Sequence, residues 1–348
     1  MKKVISIVLS AAFLIAMLAG CSAGSKAGEN GVVNVYNWGE YIDTELIASF
    51  ETETGIKVNY NTYESNEQMY SVLRQGGVNY DVIIPSDYMV ARLINEDMIQ
   101  PLDFSNIPNY ELVDPSLKDM NYDPQNAYSV PYMWGTVGII YDPDIVGEVT
   151  SWASLFDPAH SGKILMFDNS RDAFGIALKY LGYSLNTTNK AELDEAYALL
   201  AEQKPILQGY VMDQIFDKLE SGEAAIGPYY AGDYFLILEN NPDLKFCTPE
   251  EGTNVFVDAM CVLKNAQNKA NAEKFIDYMT STSVSKANSE YTGYTSPNHE
   301  VRQIIDLDEY QISVMYPTDA LLDKCEAYTN LPQETLDYYD SMWVKLKS

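Results

Sequence analysis

The chain has 348 residues, with 50 acidic against 22 basic side chains and a formal charge of −28 at pH 7. That balance excludes a nucleic-acid surface, which needs clustered Lys and Arg, and favours encounter with cations. Two histidines and four cysteines, with no C-x-x-C or H-E-x-x-H spacing, supply no metal-site motif, while the length suffices for two domains.

The N-terminus is read apart from the fold. Lys2 and Lys3 precede a mostly apolar run from Val4 to Leu18, then Leu18-Ala19-Gly20-Cys21. The run is too short for a spanning helix and ends at a small-residue cleavage pattern. It closely resembles a bacterial lipoprotein signal. That resemblance implies removal of residues 1–20 and lipid modification of Cys21; the alternative is an ordinary secretory signal with an incidental cysteine. Residues 21–30, rich in Gly, Ser and Ala, then form a flexible tether. Without Lys2 and Lys3, 50 acidic residues face 20 basic ones. Cys247, Cys261 and Cys325 cannot all pair within one chain. Their apolar contexts favour buried free thiols, with a Cys247–Cys261 pair as the alternative.

The folded part begins with a β-branched strand, Val32 to Tyr36, leading into Tyr36-Asn37-Trp38-Gly39-Glu40-Tyr41. An indole, a carboxylate and phenols thus collect at a strand end, where open α/β sheets bind ligands. Ring faces attract an organic cation and the acid neutralises it. Core packing is the plainer alternative, but a buried carboxylate must be paired. Asp43 caps a helix over Thr44 to Thr54, which Gly55 stops. Ile56 to Tyr60 is the next strand, and Glu67 to Gln75 a helix closed by Gly76-Gly77. Tyr80 to Tyr88 is an apolar run like a buried parallel strand, with Pro85 ending the ladder and Ser86, Asp87 and Tyr88 delivered at its end. Two parallel strand ends of similar chemistry face one crevice.

From Tyr128 the texture changes. Ser129 to Tyr141, containing Val130-Pro131-Tyr132-Met133-Trp134-Gly135, reads as an extended crossing into a second unit. Lys163 to Phe167 is a strand ending at Asp168-Asn169-Ser170-Arg171-Asp172, and Ala173 to Leu181 a helix. Asn189 with Glu192 makes a capping box for a helix to about Gln203. Met212 to Leu219 is helical, and Ala224 to Asp233 is a short buried strand leading into an aromatic loop. Phe256 to Val262 is a second crossing strand. Helices follow over Ala272 to Met279 and Val284 to Ser289, the latter capped by Ser283. A turn-rich loop runs from Tyr291 to Asn298, and the last helix buries Leu336, Tyr339, Trp343 and Leu346. Alternating strands and helices give an α/β class.

Taken together these segments resemble the spermidine/putrescine-binding proteins of bacterial ABC importers, from about Val33 to Asn298. The likeness rests on Tyr36-Asn37-Trp38-Gly39-Glu40-Tyr41, Thr62-Tyr63-Glu64-Ser65-Asn66-Glu67, Tyr80 to Ser86, Val130 to Gly135 and Gly293-Tyr294-Thr295-Ser296-Pro297-Asn298. It implies a two-lobed periplasmic-binding-protein-like fold (type II), with residues 31–135 and 257–302 in one lobe and 136–256 and 303–348 in the other. It implies a polyamine in the interlobe cleft, ABC permease subunits as partners, lipid attachment on the extracytoplasmic face, and no cofactor.

The same resemblance carries site residues across. Trp38, Glu40 and Tyr41 match a first binding group, with Gly39 where the family often has a hydroxyl. Ser86 and Tyr88 match a second, with Asp87 between them. Asn169 stands for an aspartate, with Asp168 as its neighbour, and Asp172 for a glutamate. Tyr230 and Phe256 replace tryptophans. Asp258 matches the acid that pairs with a ligand amine, and Tyr294 an aromatic of the last loop. A family glutamine falls around Tyr328. The rings would stack on methylenes and ammonium faces, while Glu40, Asp172 and Asp258 take ammoniums, so carboxylate spacing selects ligand length. A ferric-iron receptor using Tyr229-Tyr230 is the alternative binder. An enzyme is the third reading, but G-x-S-x-G, P-loop and H-E-x-x-H motifs are absent.

Overall fold

A ten-stranded mixed sheet with helices packed on it organises the chain, in the order β2-β1-β3-β10-β5-β8-β6-β7, with β4 beside β10 and β9 beside β5. The computed structural model describes residue 28, residues 30–39 and residues 41–348. The signal segment, Cys21 and Glu40 lie outside the described residues.

The first stretch follows its sequence signals closely. Strand β1 (Val32–Trp38) is parallel to β2 (Lys57–Tyr63) and to β3 (Val82–Ile83). Helix α1 (Thr44–Thr54) has the Asp43 side chain accepting from the Glu45 N–H and ends on Gly55 at φ 67°, a left-handed value that suits glycine. Helix α2 (Asn66–Gln75) follows β2. The apolar run before Ser86 pairs only over Val82–Ile83. Helix α3 (Asp87–Asn95) starts straight after Ser86, so Asp87 and Tyr88 sit in a helical first turn rather than on a strand. Pro85 explains the early end: it has no N–H for the ladder.

Strand β4 (Ile99–Gln100) precedes the long β5 (Ser129–Tyr141), 13 residues buried throughout. The first half of β5, to Thr136, runs antiparallel to β10 (Val255–Leu263). From Val137 it pairs instead with β8 (Ile226–Tyr230) and β9 (Lys245–Cys247). One strand is therefore shared by two sheet regions. Strand β6 (Ile164–Phe167) lies parallel to β7 (Leu207–Val211) and to β8.

Helix α4 (Ser170–Tyr180) begins at an Asn169 cap, and α5 (Lys190–Gln203) at an Asn189 cap. The expected box at Asn189 takes another form: its Oδ1 accepts from Ala191 N, and Glu192 bonds to the Asn189 side-chain amide instead of the backbone. Helix α6 (Ile215–Glu220) is shorter than expected. The stretch after Tyr230 is helix α7 (Ala231–Leu238), not an aromatic loop. Helices α8 (Lys269–Thr280) and α9 (Thr282–Thr292) abut so closely that Ser281, not Ser283, is the cap position, and the Ser281 hydroxyl turns back to the Tyr278 carbonyl. Helix α10 (Gln333–Lys347) closes the chain.

Burial divides into two clusters. One gathers Val33, Val35, Phe50, Ile83, Val130, Trp134, Val257, Phe275 and Ile276. The other gathers Val137, Ile139, Trp152, Phe167, Phe174, Leu200, Tyr234, Tyr339 and Leu346. The switch falls between Trp134 and Val137 along β5. Ile305, Met315 and Tyr316 return to the first cluster, and Val314 touches the second. Each cluster removes enough large side chains from water to stand as its own core, at about 1.5–3 kcal/mol per fully buried side chain. Cys261 is buried, Cys247 and Cys325 are half-buried, and all three are free thiols. No helix among the described residues is long and apolar enough to cross a membrane.

Candidate functional site

Strand β10 carries Asp258 at a bulge in its pairing with β5, where the register shifts between Asp258 and Ala259. A bulge re-aims a side chain, here one that alternation alone would not place. The Asp258 carboxylate accepts from the Tyr41 hydroxyl at 2.7 Å on Oδ2 and from the Ser86 hydroxyl at 2.6 Å on Oδ1. Asn66 fixes Ser86 in turn, donating from Nδ2 to its Oγ and accepting from its backbone N–H. The same Nδ2 reaches the Tyr88 hydroxyl at 3.0 Å, and Tyr88 donates to Glu67. Tyr41, Ser86, Tyr88 and Asp258 are therefore one connected group.

Across from it, the first turn of α4 presents Asp172. Its Oδ2 accepts from the Tyr230 hydroxyl at 3.0 Å and its Oδ1 from the Tyr328 hydroxyl at 3.1 Å. At the first turn of α7, Asp233 accepts from the Tyr294 hydroxyl at 2.7 Å. Rings link these acids. Tyr41 meets Tyr294 edge-on at 5.0 Å, Tyr294 meets Phe256 at 6.0 Å, and Phe256 meets Tyr230 at 5.6 Å. Four aromatic rings thus run from the first core to the second, with carboxylates at both ends and one in between. Offset and edge-on pairs are favourable geometries for such rings.

The electrostatics share one cause. Burial pushes the Asp258 carboxyl up to about 6, against the opposing pull of the Ser86 and Tyr41 hydroxyls. Burial pushes Asp233 up to about 7, with the Tyr294 bond pulling down and the Asp213 charge adding to the rise. Asp172 is also raised by burial, while Tyr230, Tyr328 and the Arg171 charge oppose it. Hydroxyl donors favour the ionised form but leave its charge in place. Among the described residues, no Lys or Arg forms an ion pair with Asp258, Asp172 or Asp233. Uncompensated buried negative charge is costly, and a cation brought by a ligand relieves it.

The other expected residues fall as follows. Trp38 lies half-buried at the edge of the group, its indole N–H on the Ile84 carbonyl at 2.9 Å and its ring tilted on Tyr63. Asp87 turns away from the hydroxyl-lined acids. It accepts from the N–H of Tyr88 at 2.6 Å and of Val257 at 3.3 Å, tying α3 to β10. Its carboxyl is pushed up to about 8 by burial, with the Asp258 charge adding. Asn169 commits its carbonyl to capping α4, bonding Arg171 N at 2.9 Å, and its neighbour Asp168 is paired with Lys347 at 2.7 Å. Neither is drawn into the acid-and-ring group. The Tyr229-Tyr230 pair is split, Tyr229 donating to Asp213 and Tyr230 to Asp172.

Sequence reasoning missed Asp233, and reached Tyr328 only as the approximate position of a family glutamine, not as a partner of Asp172. For Asp233 a signal existed: Tyr229-Tyr230-Ala231-Gly232-Asp233 is a third strand end carrying an aromatic and an acid, like those after β1 and β3. Nothing local marks Tyr328, which lies 156 residues from the acid it bonds.

Comparison with known proteins completes the description. The sequence pattern of a family described as bacterial extracellular solute-binding protein matches residues 45–318. The spermidine/putrescine-binding periplasmic protein of Escherichia coli K12 is 35% identical over 337 residues, covering 96% of each chain. The spermidine/putrescine ABC transporter substrate-binding protein PotD of Streptococcus pneumoniae superposes with a TM-score of 0.84 at 34% identity, over 91% of this chain and 98% of that one. A PotD lipoprotein of Treponema pallidum gives 0.84 at 27% identity, over 90% and 99%. These likenesses place the mixed α/β architecture among periplasmic-binding-protein-type folds.

Proposed function

The chain belongs to the bacterial extracellular solute-binding proteins, and from that premise we propose that it captures a polyamine, spermidine or putrescine, for an ABC importer. One observation carries this reading. Asp258 and Asp172 are buried and Asp233 half-buried, each accepts from side-chain hydroxyls without an ion pair to Lys or Arg among the described residues, and a run of four rings joins them. A flexible chain of methylenes with ammoniums at intervals complements that arrangement. Ammoniums make charge-assisted hydrogen bonds to the acids, and the methylenes and ammonium faces lie on the rings. Trp38 and Tyr88 flank the first end, while Glu40, the further acid expected from the sequence, lies outside the described residues.

The two cores act as lobes that close on the ligand about the shared strand β5, residues 31–135 with 257–302 in the first and 136–256 in the second. The stretch from residue 303 is divided, with Ile305, Met315 and Tyr316 on the first core and Val314, Leu331, Tyr339 and Leu346 on the second. The closed form is what the permease subunits receive. Cys21 carries the lipid that holds the protein at the extracytoplasmic face of the membrane. The protein binds and releases its ligand unchanged, which is transport and not catalysis. Ferric iron is disfavoured because the adjacent phenols of Tyr229 and Tyr230 donate to two different acids.

Calorimetric titration of folded, ligand-free protein with putrescine, spermidine and spermine tests the reading. Binding of at least one is expected, and the absence of heat from all three would overturn it. Asp258→Asn removes the charge that an ammonium would meet. A loss of roughly two to three orders of magnitude in affinity is expected for unpairing a buried ion pair. Parental affinity in that variant would remove Asp258 from the site.

A further inference from the structure

Tyr328 is the part of this site least expected from its surroundings. It precedes α10, yet its hydroxyl reaches back to α4, where its oxygen lies 3.0 Å from the Arg171 carbonyl oxygen and 3.1 Å from Asp172 Oδ1, its single proton shared between the two acceptors. The Arg171 guanidinium sits 4.5 Å from the centre of its ring. The ring approaches α4 at Gly175, one turn beyond Asp172. A Cβ on Gly175 would stand 2.5 Å from the Tyr328 hydroxyl oxygen, a distance that real Cβ atoms do not adopt. From the ring carbon Cζ it would stand 3.5 Å, and from Leu185 Cδ2 3.2 Å. The hydroxyl makes the severe conflict, while the Leu185 methyl, the end of a flexible side chain, has to give by only a few tenths of an ångström. Asp172, Gly175 and Tyr328 line one small cavity with Val137, Trp152 and Leu185, with room for about one water. A displaced hydroxyl changes its reach to Asp172.

We propose that Tyr328 is a positioning residue that sets where the Asp172 carboxylate stands in the cleft, that Gly175 is the residue permitting it, and that the pair fixes which amine spacing the protein prefers. This rests on the polyamine reading above. With Asp258 anchored by Tyr41 and Ser86, the distance to the second anchor depends on Asp172. Tyr230 holds one Asp172 oxygen and Tyr328 the other, so losing either hydroxyl frees the carboxylate to rotate. A loosened anchor accepts neighbouring ligand lengths almost as well as the best one.

The test is a double-mutant cycle with Gly175→Ala and Tyr328→Phe, read by calorimetry against the α,ω-diamines from 1,3-diaminopropane to 1,6-diaminohexane and against spermidine. Circular dichroism and melting curves establish that each variant is folded. Tyr328→Phe is expected to weaken the best ligand roughly tenfold, the scale of one hydrogen bond to a charged group, and its neighbours in length less. Gly175→Ala is expected to produce the same flattened length profile. In the Tyr328→Phe background, where the conflicting oxygen is absent, adding Gly175→Ala is expected to change affinity less than about twofold. Additive losses, or single variants that keep the parental length profile, overturn the inference while leaving the polyamine reading intact. A parent protein that binds no amine overturns both.

Discussion

Single residues in this site are distinguished by what holds them. Asp87 and Asp258 are both buried and both raised by burial, yet Asp258 is bonded by hydroxyls and Asp87 by backbone N–H groups. The first arrangement sets its acid among hydroxyls and rings; the second fastens α3 to β10. Asp87→Asn keeps an acceptor oxygen for the Val257 N–H, so ligand affinity is expected to stay within roughly threefold of the parent, below the effect of one hydrogen bond. A loss as large as that of Asp258→Asn, measured by the same titration, would place Asp87 among the ligand contacts. Sequence alone grouped Ser86, Asp87 and Tyr88 together. Alternation did not separate them, because they open a helix and do not end a strand.

Among the elements, α7 meets a steric requirement at the site itself. Its second residue, Gly232, lies under the Tyr294 ring, and a Cβ there would come within 2.6–2.8 Å of three ring atoms. Tyr294 belongs to the turn after Gly293, whose φ of 74° suits glycine, and it packs partly on the first core. Residues Ala231, Tyr234 and Ile237 of α7 belong to the second core. The two glycines therefore let parts of different cores meet. Gly232→Ala is expected to lower the ligand-free melting temperature, because the clash with the Tyr294 ring, at about 1–3 kcal/mol for overpacking, outweighs the roughly 1 kcal/mol by which Ala is the better helix former. It should weaken every polyamine by a similar factor and enlarge the ligand-saturated protein in small-angle scattering. Parental affinity together with parental size would show that this close approach is not needed. Existence and order of most elements were legible from caps and periodicity, such as Asp43 and Gly55 around α1. Helix α7 was not, since Tyr229-Tyr230-Ala231-Gly232 has the composition of a loop and tertiary packing overrides it.

At the scale of the whole molecule, the buried acids tie stability to pH. Asp258 rises from an ordinary value near 3.8 to about 6, Asp233 to about 7 and Asp87 to about 8. Each acid ionises near 4 in the unfolded chain but stays protonated to higher pH when folded. The folded state thus binds more protons across this window. Its stability is complete below pH 4 and declines as pH rises through 6 to 8. Ligand-free protein is expected to melt at a lower temperature at pH 8 than at pH 5. Polyamine affinity should rise over the same interval, because ammoniums require ionised carboxylates. A ligand-free melting temperature that is flat or rising from pH 5 to pH 8 would contradict the assignment of these acids as buried without a cation.

The sequence by itself determined the α/β class, the parallel β1–β3 arrangement and the crossing strand β5, through local periodicity, turn chemistry and residue type, all of which a short window displays. Most of the side chains that gather in the site were carried over by the resemblance to a family. Tertiary structure alone decided which carboxylate faces which hydroxyl. The bulge at Asp258, the start of α3 at Asp87, the reach of Tyr328 to Asp172 and the glycines that admit Tyr294 and Tyr328 depend on segments brought together across the chain. The spacing of the acids is set by those long-range contacts. The segment after Trp38 announced a cation site; the acids that complete it were positioned by residues far along the chain.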